Sequence, residues 1–434
     1  MEIAILGGGA AGLAAALAAA EQGAHVTVLE RNRKPLKKLG VTGNGRANVL
    51  NSGAPAYYGD AAFARAVLGR VGYPALCAFF ATLGVPLREE TEGRVYPAAL
   101  QAAVVVEALL LRAAQLHIPF LPLTRATQIE RTPQGFVLHA VQAEATDDAP
   151  RRGKPAELPR QTPFTLRADR VIVAAGGAAA PVHGTDGSAY GLLTGLGHHL
   201  TPTRPALCAL RVEPRRLTGL TGQRVRAQLT LLAPDGRPLH AAAGEVLFAE
   251  DAVSGIAAMQ LARFYVPGAA LLLDLRPGLG LTDPANGTND ILEALRRLAQ
   301  QRADRTLGDL LTGVCTAPIT RLLCREAGLR DPALPLANLP EAAIRRLAAT
   351  ITGLSLPVEG TRGFDQAQVT AGGIAPADFD PATMQSRLCP GLYAAGEVLD
   401  VDGDCGGYNL MFAFASGLLA GRSAAGDASA PQGK

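Results

Sequence analysis

The first thirty residues constrain the fold of this chain more than any other stretch of its sequence. An apolar run, Glu2 to Leu6, is typical of a short buried strand, and a G-x-G-x-x-G motif follows it directly. An alanine-rich segment typical of a helix comes next, and a second apolar run, His25 to Leu29, ends at the acidic residue Glu30. This order of strand, glycine turn, helix, strand and acid is typical of a dinucleotide-binding βαβ unit.

Each glycine of the motif has its own physical task. Gly7 permits the tight turn, Gly9 lets a pyrophosphate approach the backbone, and Gly12 lets the helix pack closely on the strand. The start of the helix offers N–H groups and the positive end of the helix dipole to the phosphates. Glu30 is placed to accept hydrogen bonds from an adenosine ribose. We favour this interpretation over a glycine-rich helix start without a ligand, because the strand, the helix and the acid all stand at the expected places.

A second glycine turn indicates which dinucleotide is bound. The stretch from Thr42 to Asn48, TGNGRAN, follows a basic cluster that contains Arg31 and Lys38. NAD-binding domains generally have no second loop of this kind directly after the acidic strand, whereas the longer FAD molecule continues past the first domain. A solvated basic loop would explain the lysines but not the glycines. The sequence therefore favours FAD.

The length and composition of the chain limit the remaining possibilities. A chain of 434 residues is too long for one ordinary hydrophobic core, so two or three domains are expected. The hydrophobic content of 48% with 18% charged residues is typical of a globular protein. The net charge of +3 neither demands nor excludes a polyanionic partner. The six cysteines show no C-x-x-C spacing, so we expect reduced thiols and no metal site.

The start of the sequence does not resemble a signal peptide. MEIAIL has an acid where a secretory signal requires positive charge, and the apolar stretch behind it is broken by glycines. No run reaches the roughly eighteen apolar residues that a membrane span requires. We therefore expect a soluble cytoplasmic protein.

A third buried strand is predicted in the middle of the chain. The stretch DRVIVAAGG contains an apolar run, Arg170 to Ala175, that ends in Gly176 and Gly177. Such a strand would return the chain to the sheet beside the cofactor. It has no G-x-G-x-x-G motif and no ribose-binding acid after it, so a second nucleotide-binding fold is not expected. Any nicotinamide would have to bind on the flavin face.

The middle of the sequence is predicted to form an insertion. Residues 191–282 contain strand-like runs such as RVRAQLTLLA, and residues 283–357 contain helical patterns such as DILEALRRLAQQRA. Residues 1–190 and 358–434 then form one discontinuous FAD-binding domain, whose flavin the two inserted parts are expected to cap. One stretch of the insertion is rich in arginine: Arg211, Arg215, Arg216, Arg224 and Arg226. We favour a solvated face for this stretch over a contact surface for an anionic substrate.

The last seventy residues predict a strand, a turn, a second strand, another turn and a helix. Gly396-Glu397 follows the apolar run LYAA, where an acid would serve a ribityl or ribose hydroxyl. The stretch from Gly406 to Asn409, GGYN, opens the last helix. The N–H groups and dipole of that helix would face the pyrimidine edge of the isoalloxazine and stabilise the charge of a reduced flavin. The end of the chain is therefore expected to complete the site that its beginning starts.

Five blocks of the sequence together resemble the BaiN/RdsA-like flavoproteins, which are also known as aminoacetone-oxidase-family or HI-type NAD(P)/FAD-dependent oxidoreductases. The blocks are GGGAAGLAAA, KKLGVTGNGRAN, EGRVYP, VTAGGI and GLYAAGEVLDVDGDCGGYNL, and they span nearly the whole chain. The resemblance implies an α/β fold with a Rossmann-like FAD-binding domain of the glutathione-reductase type. It also implies an inserted β-barrel-like subdomain and a small helical subdomain.

The resemblance implies an activity as well. Members of the family have been assigned the reduction of activated C=C bonds, with FAD as cofactor and NAD(P)H as electron donor. One branch is similar to reductases of uridine to dihydrouridine in 23S ribosomal RNA, another is linked to dehydro-bile-acid reduction, and an amine-oxidase label also circulates. We lean to ribosomal RNA, bound by the arginine-bearing insertion. The alternatives are a small-molecule reductase, an amine oxidase, and a non-catalytic flavin-bound scaffold that binds RNA or protein.

Four residues depart from the family pattern. Ala47 stands where relatives have a cysteine in G-R-C-N, which excludes a thiol mechanism at that loop. In the stretch LFAEDAVSGIA, Glu250 replaces a histidine and Ile256 a proline. Cys405 replaces a usual threonine beside the flavin. The first two changes allow the substrate or mechanism to differ from that of relatives.

These inferences give a set of candidate site residues. Position alone makes Cys405, Tyr408 and Tyr96 the candidates for a proton donor. No metal ligand is predicted. The predicted FAD-binding residues are Gly7, Gly9, Ala10, Ala11, Gly12, Glu30, Arg31, Lys38, Thr42, Gly43, Asn44, Gly45, Arg46, Asn48, Ala175, Gly176, Gly177, Gly373, Gly396, Glu397, Gly406, Gly407, Tyr408 and Asn409.

Overall fold

The computed structural model describes residues 1–54, 56–144, 160–281 and 290–426. These residues form two compact units. The terminal unit comprises the described residues of Met1–Arg204 and Val369–Lys434, and the inserted unit those of Pro205–Gln368. The domain boundaries at 190/191 and 357/358 stay predictions, and the one at 282/283 lies outside the described residues.

The strands of the described chain range from two to eleven residues in length. They are β1 Glu2–Leu6, β2 His25–Leu29, β3 Leu50–Asn51, β4 Tyr57–Gly59, β5 Leu87–Glu89, β6 Arg94–Pro97, β7 Phe120–Leu121, β8 Thr124–Thr132, β9 Gly135–Ala143, β10 Gln161–Ala168, β11 Arg170–Val173, β12 Arg204–Ala206, β13 Leu210–Val212, β14 Arg224–Leu232, β15 Pro238–Phe248, β16 Ala252–Ser254, β17 Ala270–Asp274, β18 Leu354–Thr361, β19 Val369–Ala371, β20 Leu392–Ala394 and β21 Val401–Gly403.

The helices vary more in length. The α-helices are α1 Ala10–Ala20, α2 Thr42–Gly45, α3 Ala61–Arg70, α4 Tyr73–Thr82, α5 Ala102–Gln115, α6 Ser188–Thr194, α7 Ile256–Leu261, α8 Arg276–Leu279, α9 Ile291–Gln301, α10 Ala317–Glu326, α11 Glu341–Thr352, α12 Gly363–Gln366 and α13 Tyr408–Gly426. Short 3-10 helices lie at Leu39–Val41, Thr91–Gly93, Pro181–His183, Pro214–Leu217, Ala262–Phe264, Leu307–Asp309, Leu336–Asn338, Pro376–Asp378 and Gly396–Val398. Within the described residues, no helix is long and apolar enough to span a bilayer.

A parallel sheet forms the centre of the terminal unit, with the strand order β20-β11-β1-β2-β7. Ile3 of β1 pairs with Val26 of β2 on one side and with Arg170 of β11 on the other. The predicted bounds of β1 and β2 are confirmed, whereas the third predicted strand ends at Val173, two residues early. Because parallel strands end at the same edge, the segments after β1, β11 and β20 lie side by side.

The first and last helices of the terminal unit pack backbone against backbone. A Cβ atom added at Gly417 of α13 would lie 2.3 Å from the Ala11 carbonyl oxygen, and one at Gly421 would lie 2.2 Å from that of Ala15. Only glycine fits at these two positions, because any side chain would overlap the backbone of α1. The two ends of the chain are therefore joined through helices of small residues.

The inserted unit contains a closed barrel of six strands in the order β13-β16-β15-β14-β17-β18. Alternate residues of its strands point inward, so that Leu229, Leu231, Leu271 and Leu273 are fully buried. The amphipathic helices α9, α10 and α11 come between β17 and β18 in the chain. The predicted α/β fold with an inserted barrel and a helical part is thus confirmed.

Candidate cofactor site

The glycine turn after β1 combines two tight contacts with one open position. Gly7 has a φ of +105°, and a Cβ atom there would lie 2.5 Å from the Ala174 carbonyl oxygen. At Gly12, a Cβ atom would lie 1.9 Å from the Gly7 carbonyl oxygen. A Cβ atom at Gly9, by contrast, would have no described atom within 4 Å. The turn is therefore rigid, with space beside Gly9 for a group that approaches the backbone.

The start of α1 borders that space. Gly9 precedes the helix and provides no side-chain cap, and the first turn, with Ala10 and Ala11, contains no acidic residue. Helix starts without a cap leave their first N–H groups to a ligand, and the helix dipole favours a negative one. The geometry of this turn fits a pyrophosphate.

Glu30, at the end of β2, closes the turn from the other side. Its side chain is buried, with Oε2 accepting a hydrogen bond from the Gly8 N–H at 2.8 Å. Oε1 accepts from the backbone N–H of Asn32 at 2.7 Å and from its Nδ2 at 2.8 Å. Asn32 also donates to the His183 carbonyl oxygen. Asn32 was not predicted from the sequence, because nothing in its local pattern indicates a partner 151 residues away.

The basic residues after β2 hold the loop that follows Gly177. Arg31 contacts the carboxylate of Asp186 at 2.6 Å, Lys37 donates to the Val182 carbonyl oxygen at 2.7 Å, and Lys38 donates to that of Ala179 at 3.2 Å. Burial opposes ionisation of Asp186, but hydrogen bonds from Arg31 and Ser188 outweigh it and lower its pKa to about 2. The cluster therefore fixes the loop through carbonyl groups and one ionised acid.

Glu397 connects three distant parts of the chain. Its Oε2 forms an ion pair with Lys38 Nζ at 2.9 Å, and its Oε1 accepts from the Thr370 N–H at 2.9 Å. The Thr370 hydroxyl accepts from the N–H groups of Ala178 and Ala179 at 2.8 and 3.0 Å. The predicted residue Glu397 is thus in place beside the sheet edge, and Thr370 is a supporting residue that the sequence did not reveal.

Glycines line this edge where other parts of the chain approach closely. A Cβ atom at Gly177 would lie 2.5 Å from Thr370 Oγ1, and one at Gly396 would lie 2.9 Å from Ala11 Cβ. At Gly373 the nearest atom would be the Val398 carbonyl oxygen at 2.9 Å. Gly176 has a φ of +76° and follows Ala175 out of the sheet. The predicted glycines of the middle and end of the chain therefore meet at one edge.

The second glycine turn adopts an unusual backbone conformation. Positive φ angles occur at Gly43, Asn44, Gly45 and Ala47, with values of 58°, 57°, 79° and 54°. Thr42, at its start, donates from its hydroxyl to the Leu39 carbonyl oxygen. A run of left-handed residues is rare and requires support from its surroundings.

Arg46 provides part of that support. Its guanidinium lies over the Tyr96 ring, 4.3 Å from the centroid, and forms an ion pair with Glu90 at 2.5 Å. Glu90 also contacts Arg88 at 3.2 Å. Glu90 was not predicted from the sequence, because it lies 44 residues from Arg46 along the chain.

Two buried polar atoms of this turn have no hydrogen-bond partner among the described residues: Arg46 Nε, a donor, and Asn48 Oδ1, an acceptor. The Asn48 oxygen faces the start of α13, since a Cβ atom at Gly407 would lie 2.8 Å from it. Buried polar atoms without partners are rare in native proteins, so this pair requires an explanation. A ring edge with a carbonyl oxygen and an N–H, such as the pyrimidine part of a flavin, has the complementary groups. The residues present therefore fit FAD.

The start of α13 is held by amide side chains. Gly406 and Gly407 have φ angles of 138° and 101°. Asn51 Nδ2 donates to the Gly406 carbonyl oxygen at 2.7 Å. Asn409 Oδ1 accepts from the Gly403 N–H at 2.8 Å, and Nδ2 donates to the carbonyl oxygen of the same residue at 2.9 Å. Asn409, one of the predicted FAD-binding residues, thus shapes the turn before the helix.

The three candidate proton donors differ in their surroundings. Tyr96 is buried beneath Arg46. The pKa of Tyr408 is raised by burial and by the negative charge of Asp404. Burial raises the pKa of the Cys405 thiol, and the positive charge of Arg94 only partly opposes this. Tyr408 and Cys405 therefore keep their protons at neutral pH.

The described residues contain no cluster of His, Cys, Asp and Glu that could hold a metal ion. Contacts within the terminal unit bring together the first glycine turn, the second glycine turn, the Gly177 loop and the start of α13. Glu250 and the arginine-rich stretch belong to the inserted unit, and the site described here contains neither.

Comparison with known proteins gives full-length matches. The family model for the HI0933-like protein Rossmann domain matches residues 1–423. A 3-dehydro-bile acid delta(4,6)-reductase of Clostridium scindens is 34% identical over 98% of this chain and 98% of that protein. A ribosomal RNA dihydrouridine synthase of Haemophilus influenzae is 26% identical over 95% of each. Among solved structures, a 3-ketosteroid-delta4-(5alpha)-dehydrogenase of Rhodococcus jostii is 18% identical, with a TM-score of 0.47 over 98% of this chain and 97% of that one.

Proposed function

The chain belongs to the HI0933-like family and is an FAD-dependent oxidoreductase, and we propose that it uses NAD(P)H to reduce a C=C bond conjugated to a carbonyl group in a small molecule. The observation that carries the proposal is the full-length similarity, at 34% identity, to a protein named as a bile-acid delta(4,6)-reductase. The buried Arg46 Nε and Asn48 Oδ1, which have no hydrogen-bond partner among the described residues, support the proposal, because a flavin ring would offer a partner to each.

The charges of the inserted unit favour a small substrate over ribosomal RNA. In the arginine-rich stretch, Arg211 lies 3.9 Å from Glu359, Arg216 lies 3.7 Å from Glu326, and Arg224 lies 2.5 Å from Glu245. Binding to an RNA backbone depends on cations that are free to neutralise phosphates. Three of these five arginines already have acidic partners, so the stretch is a weaker basis for RNA binding than the sequence alone suggested.

Uridine in ribosomal RNA, which we favoured from the sequence, becomes the second candidate. The relative from Haemophilus influenzae, named as a dihydrouridine synthase, covers 95% of this chain at 26% identity. The C5=C6 bond of uracil is also conjugated to a carbonyl group, so the same type of reduction would serve both substrates.

The residues of the site suggest how it would work. Gly7, Gly9 and the start of α1 would bind the pyrophosphate, and Glu397 with Lys38 would hold the sugar chain. Hydride transfer is the chemistry that the bound flavin supplies. Arg46 Nε and Asn48 Oδ1 would orient the ring by one hydrogen bond each.

A proton must also reach the substrate. Tyr408 and Cys405 hold theirs at neutral pH, because burial raises the pKa of both. Tyr96 is the third candidate by position. An acid that stays protonated near neutral pH can deliver its proton to the carbon that does not receive the hydride.

The test is an anaerobic stopped-flow experiment on the FAD-loaded protein. NADH or NADPH should bleach the flavin, and a conjugated 3-oxo bile acid should restore its colour faster than buffer does, with the saturated product found by mass spectrometry. Reoxidation by unmodified 23S ribosomal RNA, with dihydrouridine formed, would select the second candidate instead. In a separate aerated run, rapid reoxidation of the reduced flavin by oxygen alone would indicate an oxidase. A bound flavin that neither nicotinamide reduces would indicate a scaffold and contradict the proposal.

A further inference from the structure

A cavity of about 410 Å³ lies at the opposite end of the parallel sheet from the glycine turn. Its wall includes Arg170, where β11 starts, Pro390, which precedes β20, and the hairpin residues Arg131 and Phe136. Because β1 has five residues at about 3.3 Å each, the cavity is roughly 16 Å from the turn at Gly7. It is therefore separate from the candidate cofactor site, and its volume is within the usual range for small-molecule pockets.

Arg170 is one of two arginines that line this cavity. Its side chain passes between the hairpin and the turn before β20, since a Cβ atom at Gly391 would lie 3.1 Å from both Arg170 Nη1 and Phe136 Cε2. Its Nε is buried and has no hydrogen-bond partner, and within the described ranges no carboxylate pairs with its guanidinium. A guanidinium without a partner in a cavity is unusual, because a buried donor that lacks an acceptor costs free energy.

A second guanidinium lies in the same cavity. Arg131 is placed over the Phe136 ring, 5.3 Å from the centroid, and donates to the Pro390 carbonyl oxygen. No ion pair joins it to any acid in the described part of the chain. The ring contact and the carbonyl contact fix its orientation, so its remaining N–H groups are directed without a large loss of side-chain entropy.

The acidic residue of the wall, Asp169, does not neutralise the two arginines. Its Oδ2 accepts a hydrogen bond from the Glu2 N–H at 2.7 Å, which ties the start of β1 to the residue before β11. Neither Arg131 nor Arg170 approaches it as an ion pair among the described residues. The cavity thus keeps a net positive charge from two planar donor groups.

From this arrangement we propose that the cavity is a binding site for a small oxyanion, a carboxylate or phosphate carried by a compact metabolite. Guanidinium groups bind both kinds of oxyanion through paired, charge-assisted hydrogen bonds. The Arg170 Nε would gain the acceptor that the described chain does not supply. The site does not depend on the proposed reductase activity, and its occupant would be an accessory ligand and not the substrate of the flavin.

The test is calorimetric titration of the full-length protein, saturated with FAD so that the pyrophosphate site is filled. Inorganic phosphate and malonate are titrated separately at constant ionic strength. The anion that binds with the lower dissociation constant identifies the kind of oxyanion. We expect saturable binding with one site per chain. The Arg170→Gln variant should bind about tenfold more weakly or worse, because it loses a charge-assisted donor pair.

The matched control is Arg167→Gln, which removes an exposed arginine of the neighbouring strand β10 outside the cavity. It should change the dissociation constant less than about twofold, as expected for a screened surface charge. Arg170→Lys keeps the charge but not the planar donor group, so its dissociation constant should lie between those of Arg167→Gln and Arg170→Gln. This variant also guards against a folding defect in Arg170→Gln. Absence of saturable binding by both anions, or equal binding by the wild type and Arg170→Gln, would overturn the proposal.

Discussion

Substitution of two glycines of the same motif should have different effects, one on the stability of the fold and one on the binding of FAD. At Gly12 an added Cβ atom would lie 1.9 Å from the Gly7 carbonyl oxygen, so Gly12→Ala should lower the free energy of unfolding by about 1–3 kcal/mol. At Gly9 a Cβ atom meets no described atom within 4 Å, so Gly9→Ala should leave the apo-protein intact. It should raise the dissociation constant for FAD about tenfold or more, because the methyl group fills the space of the pyrophosphate.

Urea unfolding of the apo-protein and flavin titration separate these two effects. Gly69→Ala is the control, since Gly69 of α3 is equally open but belongs to no glycine turn. If Gly9→Ala bound FAD as tightly as the control does, the pyrophosphate would not lie beside Gly9.

Asn48 tests the fit of the flavin ring. Because its Oδ1 has no partner among the described residues, Asn48→Ala loses no hydrogen bond of that atom in the apo-protein. In the complex it would lose one acceptor, which should weaken FAD binding by about 1 kcal/mol, or roughly fivefold. Fluorescence titration with FAD measures the change, and the exposed Asn338→Ala is the control. Unchanged affinity would mean that the amide oxygen does not contact the cofactor.

The thiol of Cys405 should be unreactive at neutral pH. Burial raises its pKa, so the thiolate that reacts with iodoacetamide is scarce until the pH exceeds the ordinary thiol pKa of about 8.5. Peptide mapping by mass spectrometry gives the rate of alkylation at Cys405 against pH, with a short cysteine peptide as the reference. A midpoint at or below that of the reference peptide would contradict the assignment of a protonated thiol.

Single residues could be predicted from the sequence only where a local motif defines them. Gly7, Gly9, Gly12 and Glu30 follow from one stretch of thirty residues. Glu90 and Thr370 do not, because their functions depend on contacts with residues 44 and about 190 positions away. Such side-chain pairs leave no periodic or compositional signal in a single sequence.

At the scale of elements, the contact between α1 and α13 should be sensitive to added volume. Gly417→Val and Gly421→Val each direct a side chain at the backbone of α1, where a Cβ atom already comes within 2.3 Å of a carbonyl oxygen. We expect each to lower the free energy of unfolding by about 1–3 kcal/mol and to reduce the FAD content on purification. Thermal unfolding followed by circular dichroism measures the first effect.

Gly426→Ala serves as the control on the same helix. A Cβ atom there would meet only Gln22 Oε1, at 3.5 Å, so this variant should match the wild type. Equal melting temperatures for all four proteins would show that α13 does not need glycine against α1.

The elements themselves were largely predictable, since each has a strong local pattern. Apolar runs bounded by glycines gave β1 and β2 with the bounds that the structure shows. The strand β14 and the helix α9 lie within the predicted runs RVRAQLTLLA and DILEALRRLAQQRA. The closure of the barrel could not be derived from periodicity, because pairing between β13 and β18 joins residues about 150 positions apart. The left-handed turn at Ala47 was also missed, since alanine gives no signal for a positive φ.

At the scale of the whole molecule, the proposed function requires that the two ends of the chain form one flavin site. The Lys38–Glu397 ion pair, the Gly407–Asn48 contact and the packing of α13 on α1 all join the amino-terminal glycine turns to the last forty residues. The NAD(P)H oxidation and the substrate reduction that we propose would both depend on that flavin.

The most direct measurement is the number of FAD molecules bound per chain after reconstitution of the purified protein, determined from released flavin and protein concentration. We expect one FAD per chain in the wild type and much less bound FAD in Gly9→Ala. A wild-type protein that stays colourless after reconstitution would contradict this expectation.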